Sequence, residues 1–259
     1  MTDTPPLALV TGASSGIGFE LARQFAERGY DVVITAEDAA IDVAAESLRR
    51  CGARVRPLRI DLHSANGPEQ LYATATEDGR PLDAVAFNAG IGRGGDFLST
   101  DLDDELAVID LNVRSTVRLA KPVVADMAAR GSGRLLFTSS IAAMIPGPEQ
   151  AVYHASKSFV QSFAEALRQE LRDKGVTVTA LMPGPTDTDF FRRAKMLDTR
   201  IGRGPKDDPA EVARQGVDAL LAGEQKVVAA SLPTKVMGLV GRVVPDALKA
   251  TAGQIISGR

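Results

Sequence analysis

Along the chain, short apolar runs alternate with longer stretches in which apolar residues recur at helical spacing. The runs are "LALVTG" from Leu7, "DVVITA" from Asp31, "VRPLRI" from Val55, "LDAVAFNAG" from Leu82, "RLLFTSS" from Arg134, "VTVTALMPG" ending at Gly184, and "KVVAAS" from Lys226. Between them lie "GIGFELARQFAERG", "AAIDVAAESLRRCG", "PEQLYATATEDG", a segment from about Asp101 to Gly131, "AVYHASKSFVQSFAEALRQELRDKG" and "PAEVARQGVDALLAG". Several runs are apolar without clean alternation, as expected of parallel strands covered on both faces. Strand, helix, strand, repeated along the chain, predicts an α/β fold: a doubly wound parallel sheet of about seven strands with helices on both faces. No linker interrupts the alternation, so one domain over 1–259 is expected, with a lid around 185–208 and a C-terminal extension around 232–259.

The helix around "YHASK" carries Phe159, Phe163, Leu167 and Leu171 along one side, with Val160 and Ala164 beside them. This stripe reads as core or subunit interface rather than ligand site.

Composition narrows the class. The 259 residues are 44% hydrophobic and 24% charged, with net charge −3, so neither nucleic acid nor an anionic membrane is expected as a partner. One cysteine, Cys51, excludes an internal disulfide and fits a reducing compartment. With His63 and His154 as the only histidines, no structural metal site is expected. "MTDTPPLALV" lacks the features of a secretion signal, and no apolar run is long enough to span a membrane. A soluble cytoplasmic protein is expected.

In a doubly wound fold, ligands bind beyond the carboxyl ends of the strands. "TGASSGIG" joins the first strand to the first helix. There Gly12, Gly16 and Gly18, with Ser14, Ser15 and Ile17 between them, allow close approach of a pyrophosphate to the helix N-terminus. Its GxxxGxG spacing differs from GxGxxG, and a ligand-free glycine turn is the alternative. After the second strand, Glu37 is the nearest acid that could hold the adenine ribose hydroxyls; a solvated turn glutamate is the alternative. Asp61 and Leu62 follow the third run, where Asp61 either meets the adenine or caps the next helix. Asn88, Ala89 and Gly90 end the fourth run with residues small enough to sit against a cofactor, or form a plain turn. Tyr153 and Lys157 stand four residues apart, on one helical face and at the end nearest the ligand crevice. Alone, they could be an idle surface pair.

The ordered series "TGASSGIG", "DL" at Asp61, "NAG", "LNV" at Asn112, "TSS" at Ser140, "YHASK" and "PGPTDT" resembles the short-chain dehydrogenase/reductases, from about Leu7 to Thr188. The resemblance implies a Rossmann-fold oxidoreductase using NAD or NADP on an alcohol or carbonyl. It makes Tyr153 the general acid/base and Ser140, thirteen positions earlier, the hydroxyl that polarises the substrate oxygen, with Ser139 the less favoured neighbour. It makes Lys157 the residue that binds the nicotinamide ribose and lowers the tyrosine pKa, and Asn112 the residue that holds a water chain to that lysine. Pro183, Gly184, Thr186 and Thr188 fall in the strand-end motif that contacts the nicotinamide carboxamide. A homotetramer or homodimer is implied.

Two positions depart from the family pattern. Phe87 takes the place of the first asparagine of a common pair, and Ala36 occupies the ribose-recognition slot. NADP-preferring relatives often carry a basic residue just after that slot or in the glycine loop; here Glu37 and Ser15 hold those places, which favours NAD. Lysine beside tyrosine, together with a positive nicotinamide, favours phenolate and is expected to bring the phenol down from its usual pKa of about 10.

The substrate side is expected in "IGRGGDF", "IAAMIPGPEQAV" and the segment from Thr186. Ile141, Ala142, Met144 and Ile145 suggest an apolar wall for a hydrophobic substrate. Arg192, Arg193 and Lys195 in "FFRRAKM" read either as a solvated face or as anion contacts. Val236, Leu239, Val240 and Val243 in the tail read as a packing surface rather than a membrane or lipid dock. Two rival functions are a cofactor-binding regulator without turnover and a lyase or epimerase that recycles its cofactor.

Overall fold

Each apolar run becomes a strand of one sheet in the computed structural model, which describes residues 4–229. The strands are β1 (Leu7–Thr11), β2 (Asp31–Ala36), β3 (Val55–Arg59), β4 (Ala84–Phe87), β5 (Gly133–Thr138), β6 (Val176–Pro183) and β7 (Lys226–Ala229). They lie in the order β3-β2-β1-β4-β5-β6-β7, every neighbouring pair parallel. The order reverses between β1 and β4, which opens the crevice where such folds bind ligands.

Alternate residues of each strand face opposite cores. Ala8 and Val10 join one cluster with Leu21 and Phe25 of α1 (Gly16–Glu27), Ile41 of α2 (Ala40–Arg49) and Val217 of α9 (Pro209–Ala222). Leu7 and Leu9 join the other, with Leu71 of α3 (Gly67–Ala75), Leu119 of α5 (Thr116–Arg130) and Val160 of α6 (Ala151–Glu170). That is why the strands read as nearly continuous apolar runs.

The expected 101–131 helix is interrupted. It consists of α4 (Leu102–Ile109), a π-helical turn over Asp110–Ser115, and α5. Asp101 caps α4 by accepting from the Asp103 amide, and Gly131, at φ 69°, ends α5. The apolar stripe of α6 divides: Val160, Ala164 and Leu171 are buried, Phe163 and Leu167 pack partly against the same core, and Phe159 is 40% exposed.

Between β6 and α9 the chain forms two short turns of helix, α7 (Phe190–Arg193) and α8 (Arg200–Arg203). A bridge between Thr186 and Asp207 ties the segment's two ends. Phe191, Ala194 and Met196 form its own small core. No helix among the described residues is long and apolar enough to cross a membrane. The tail residues Val236, Leu239, Val240 and Val243 lie outside the described residues.

Candidate active site

One cleft of about 260 Å³ runs across the carboxyl ends of the strands, from Glu37 and Asp61 to Ile145 and Ile201. Every residue singled out in the sequence for cofactor contact lines it, as do Ser140, Tyr153 and Lys157; Asn112 does not.

The glycine loop fits closely against its surroundings. Gly16 has φ +58°, and a Cβ there would stand 2.9 Å from Thr188 Cγ2. A Cβ on Gly18 would come within 2.0 Å of the Gly12 carbonyl oxygen, so α1 starts where only glycine fits. Asn88 lines the cleft and also ties this loop down. Its Nδ2 donates to the carbonyls of Thr11 and Gly12, and its Oδ1 accepts from Thr138 Oγ1. Thr11 Oγ1 accepts from the amides of Asn88 and Ala89, completing a seam between β1 and β4.

At the β2 end, Glu37 is exposed and lies near His63, whose Nδ1 is 3.3 Å from Asp61 Oδ1 and 4.0 Å from Glu37 Oε2. Asp61 does not cap the following helix. Its Oδ1 accepts from the His63 amide, and α3 begins only at Gly67, after Asn66. Sequence reasoning passed over Asp38, which accepts from Ser14 Oγ at 3.1 Å and so ties the ribose end to the glycine loop. It also passed over Arg59, whose Nε donates to the Glu37 carbonyl.

At the other end, Ser140 and Ser139 part company. Ser139 is buried and donates to the Lys157 carbonyl, whereas Ser140 faces the cleft, accepts from the Ala142 amide and hydrogen-bonds Tyr153. Lys157 is buried too, and its Nζ donates to the Thr138 carbonyl at 2.9 Å. Asn112, 1% exposed and in the π-helical turn, clamps Ile91: its Oδ1 accepts from the Ile91 amide, and its Nδ2 donates to the Ile91 carbonyl and to Ser156 Oγ. π-helical turns of this kind are frequent at functional sites. A Cβ on Gly90 would lie 3.0 Å from Asn112 Oδ1 and 3.3 Å from Lys157 Nζ, so a side chain there would crowd both.

Among the chain's own groups, burial dominates the electrostatics of this end. Burial pushes the Tyr153 phenol up to about 12, only partly offset by its hydrogen bond with Ser140. Burial also brings Lys157 down to about 8. The ammonium is turned to the Thr138 carbonyl, 5.9 Å from the tyrosine ring centre. At neutral pH the chain's own groups keep Tyr153 protonated.

The substrate wall is apolar, with one change. Ile141, Ala142 and Ile145 line the cleft, but Met144 does not; Phe190, Phe191 and Ile201 from the segment after β6 complete the wall. The Phe190 ring stands 5.3 Å from that of Tyr153. His154 holds the facing loop: its Nδ1 lies 2.7 Å from the Ile145 carbonyl oxygen, and burial keeps its pKa low. Arg192 pairs with Asp189 and Lys195 with Asp104, while Arg193 reaches Ser15.

A doubly wound sheet, a glycine turn at its switch point and a Ser-Tyr-Lys group at the far end define a dinucleotide-dependent oxidoreductase. Residues 6–196 match the family model for the short chain dehydrogenases. The chain is 36% identical over 190 residues to a 3-oxoacyl-[acyl-carrier-protein] reductase of Synechocystis sp., covering 72% of this chain and 76% of that one. It superposes with a TM-score of 0.80 on a short-chain dehydrogenase from Sphingobium yanoikuyae in complex with NADPH, at 29% identity, covering 86% of this chain and 87% of that one. It also resembles the bulky-bulky ketone specific alcohol dehydrogenase from Comamonas testosteroni, with a TM-score of 0.76 and 29% identity over 88% of this chain and 86% of that one. The protein belongs to the short-chain dehydrogenase/reductase family, NAD(P)-dependent oxidoreductases of alcohol and carbonyl groups.

Proposed function

We propose that this chain reduces a hydrophobic ketone or aldehyde, with NADH preferred over NADPH. The observation that carries the reading is the group at the end of the cleft: Tyr153 hydrogen-bonded to Ser140, with Lys157 buried one helical turn away. The dinucleotide supplies the hydride when bound. Gly12, Gly16 and Gly18 let the loop pack where a Cβ would strike its neighbours, which sets the N-terminus of α1 at the cleft for a pyrophosphate, and Lys157, lining the far end beside Gly90, is placed to hold the ribose there. Ser140 positions the substrate oxygen, and Tyr153 gives it a proton. The likeness to a 3-oxoacyl-[acyl-carrier-protein] reductase supports reduction as the working direction.

The preference for NADH rests on Glu37, Asp38 and Asp61, three carboxylates at the ribose end where a 2′-phosphate would meet like charge. The apolar wall of Ile141, Ile145, Phe190 and Ile201 supports a hydrophobic substrate. The reading also includes a homo-oligomer in the cytoplasm. The exposed Leu102, Leu106 and Ile109 of α4 and Phe159 of the adjacent α6 support self-association, which light scattering at micromolar concentration would test. Titration with NADH and NADPH by nicotinamide fluorescence, followed by a screen of hydrophobic ketones with the tighter binder, tests the whole. Binding of neither dinucleotide would overturn it.

A further inference from the structure

We infer that Arg193, carried on the substrate-side segment, binds the dinucleotide pyrophosphate and so latches that segment over the cleft. The inference rests on the dinucleotide reading above. Arg193 lines the cleft, and its Nη2 donates to Ser15 Oγ at 3.0 Å, across 178 positions of sequence. Ser15 is the residue just before α1, its hydroxyl makes no cap bond to that helix, and the first turn of α1 contains no acid. A guanidinium thus faces the positive end of a helix with only a neutral hydroxyl between them. Two like-signed elements converging on one space are matched by an anion lying between them.

The neighbouring cations do not share this arrangement. Arg192 is held by Asp189 at 3.1 Å and Lys195 lies 3.6 Å from Asp104. Arg193 has no carboxylate within ion-pairing distance among the described residues; Asp189, the acid that senses its charge, is bonded to Arg192. Its remaining N–H donors suit the two oxygens of a phosphate.

The latch has a consequence for the substrate. Arg193 and Phe190 are the two ends of the single turn α7. Phe190 packs on Tyr153, and a Cβ on Gly92 would lie only 2.5 Å from its ring. Thr188, just before that turn, already touches the glycine loop at Gly16. A phosphate gripped by Arg193 therefore fixes the same turn that forms the wall beside the reacting phenol. Cofactor would bind first and shape the substrate pocket.

The test compares the full-length chain with Arg193→Ala in two ways: Kd for NADH and for NADPH by fluorescence, and trypsin cleavage at Lys195 and Arg200 with and without saturating NADH. The expected result is a rise in Kd of about tenfold for both dinucleotides, as for loss of a charge-assisted contact. In the wild type, NADH should protect Lys195 and Arg200 from trypsin, and the variant should lose that protection. Arg193→Lys should recover part of the affinity. Loss confined to NADPH would overturn the proposal, because it would place Arg193 on a 2′-phosphate. Unchanged Kd values, or intact protection in Arg193→Ala, would overturn it too. Failure of the wild type to bind either dinucleotide would instead count against the reading on which it rests.

Discussion

Lys157 donates to the carbonyl of Thr138 at 2.9 Å and stands 5.9 Å from the ring centre of Tyr153. The ammonium is thus buried against β5, beside the phenol but bonded elsewhere. Burial disfavours the charged form of both groups, pushing the phenol up to about 12 and the ammonium down to about 8, and near neutral pH only the ammonium bears the cost. Such a site trades stability for the chemistry it holds ready.

Lys157→Met should therefore stabilise the protein at pH 7 while weakening dinucleotide binding. A pKa brought from 10.5 down to about 8 by burial corresponds to a penalty on the order of 3 kcal/mol on the buried charged form. The sign follows from linkage: between about pH 8 and 10.5 the unfolded chain holds more protons, so wild-type stability rises with pH in that window. The variant's advantage should be full below pH 8 and vanish above about 10.5. Thermal melts across pH check it; a lower melting temperature for the variant at pH 7 would count against it.

Gly92→Ala should disturb the substrate wall more than the dinucleotide site. Its Cβ would sit 2.5 Å from Phe190 Cζ and 3.4 Å from Tyr153 Cδ2. Displacing the Phe190 ring should raise KM for a hydrophobic ketone by about tenfold, the effect expected when a packed apolar contact is lost. The Kd for NADH should rise by less than KM does, since Gly92 stands against Phe190 while α7 also carries Arg193. An unchanged KM would show that Phe190 takes no part in substrate contact.

Glu37→Arg should reverse the cofactor preference. The exchange removes a carboxylate from the ribose end and places a cation beside His63 and Asp61. The ratio of kcat/KM for NADPH to that for NADH should rise by about a hundredfold, two charge-assisted terms acting together. A ratio that does not move would mean that position 37 does not read the ribose.

The sheet was legible in the sequence because parallel strands covered on both faces read as nearly continuous apolar runs, as in "LALVTG" and "DVVITA". The Tyr153–Lys157 pair was legible because helical spacing alone puts i and i+4 together. Other features depend on contacts no local pattern contains. Arg193 meets Ser15, and Phe190 meets Tyr153, only through the path of the segment after β6. The interruption before α5 is invisible in its helical periodicity, yet it sets the clamp of Asn112 on Ile91. The upward push that burial gives the Tyr153 phenol was not legible either, because burial is a property of the whole fold.

The most direct test of the account is Tyr153→Phe, measured for NADH binding and for ketone reduction on one preparation. Loss of the proton donor should lower kcat by about 10³-fold or more. The Kd for NADH should change by no more than about twofold, since the ring and its contact with Phe190 remain. Turnover retained in the variant would contradict the assignment of proton transfer to Tyr153.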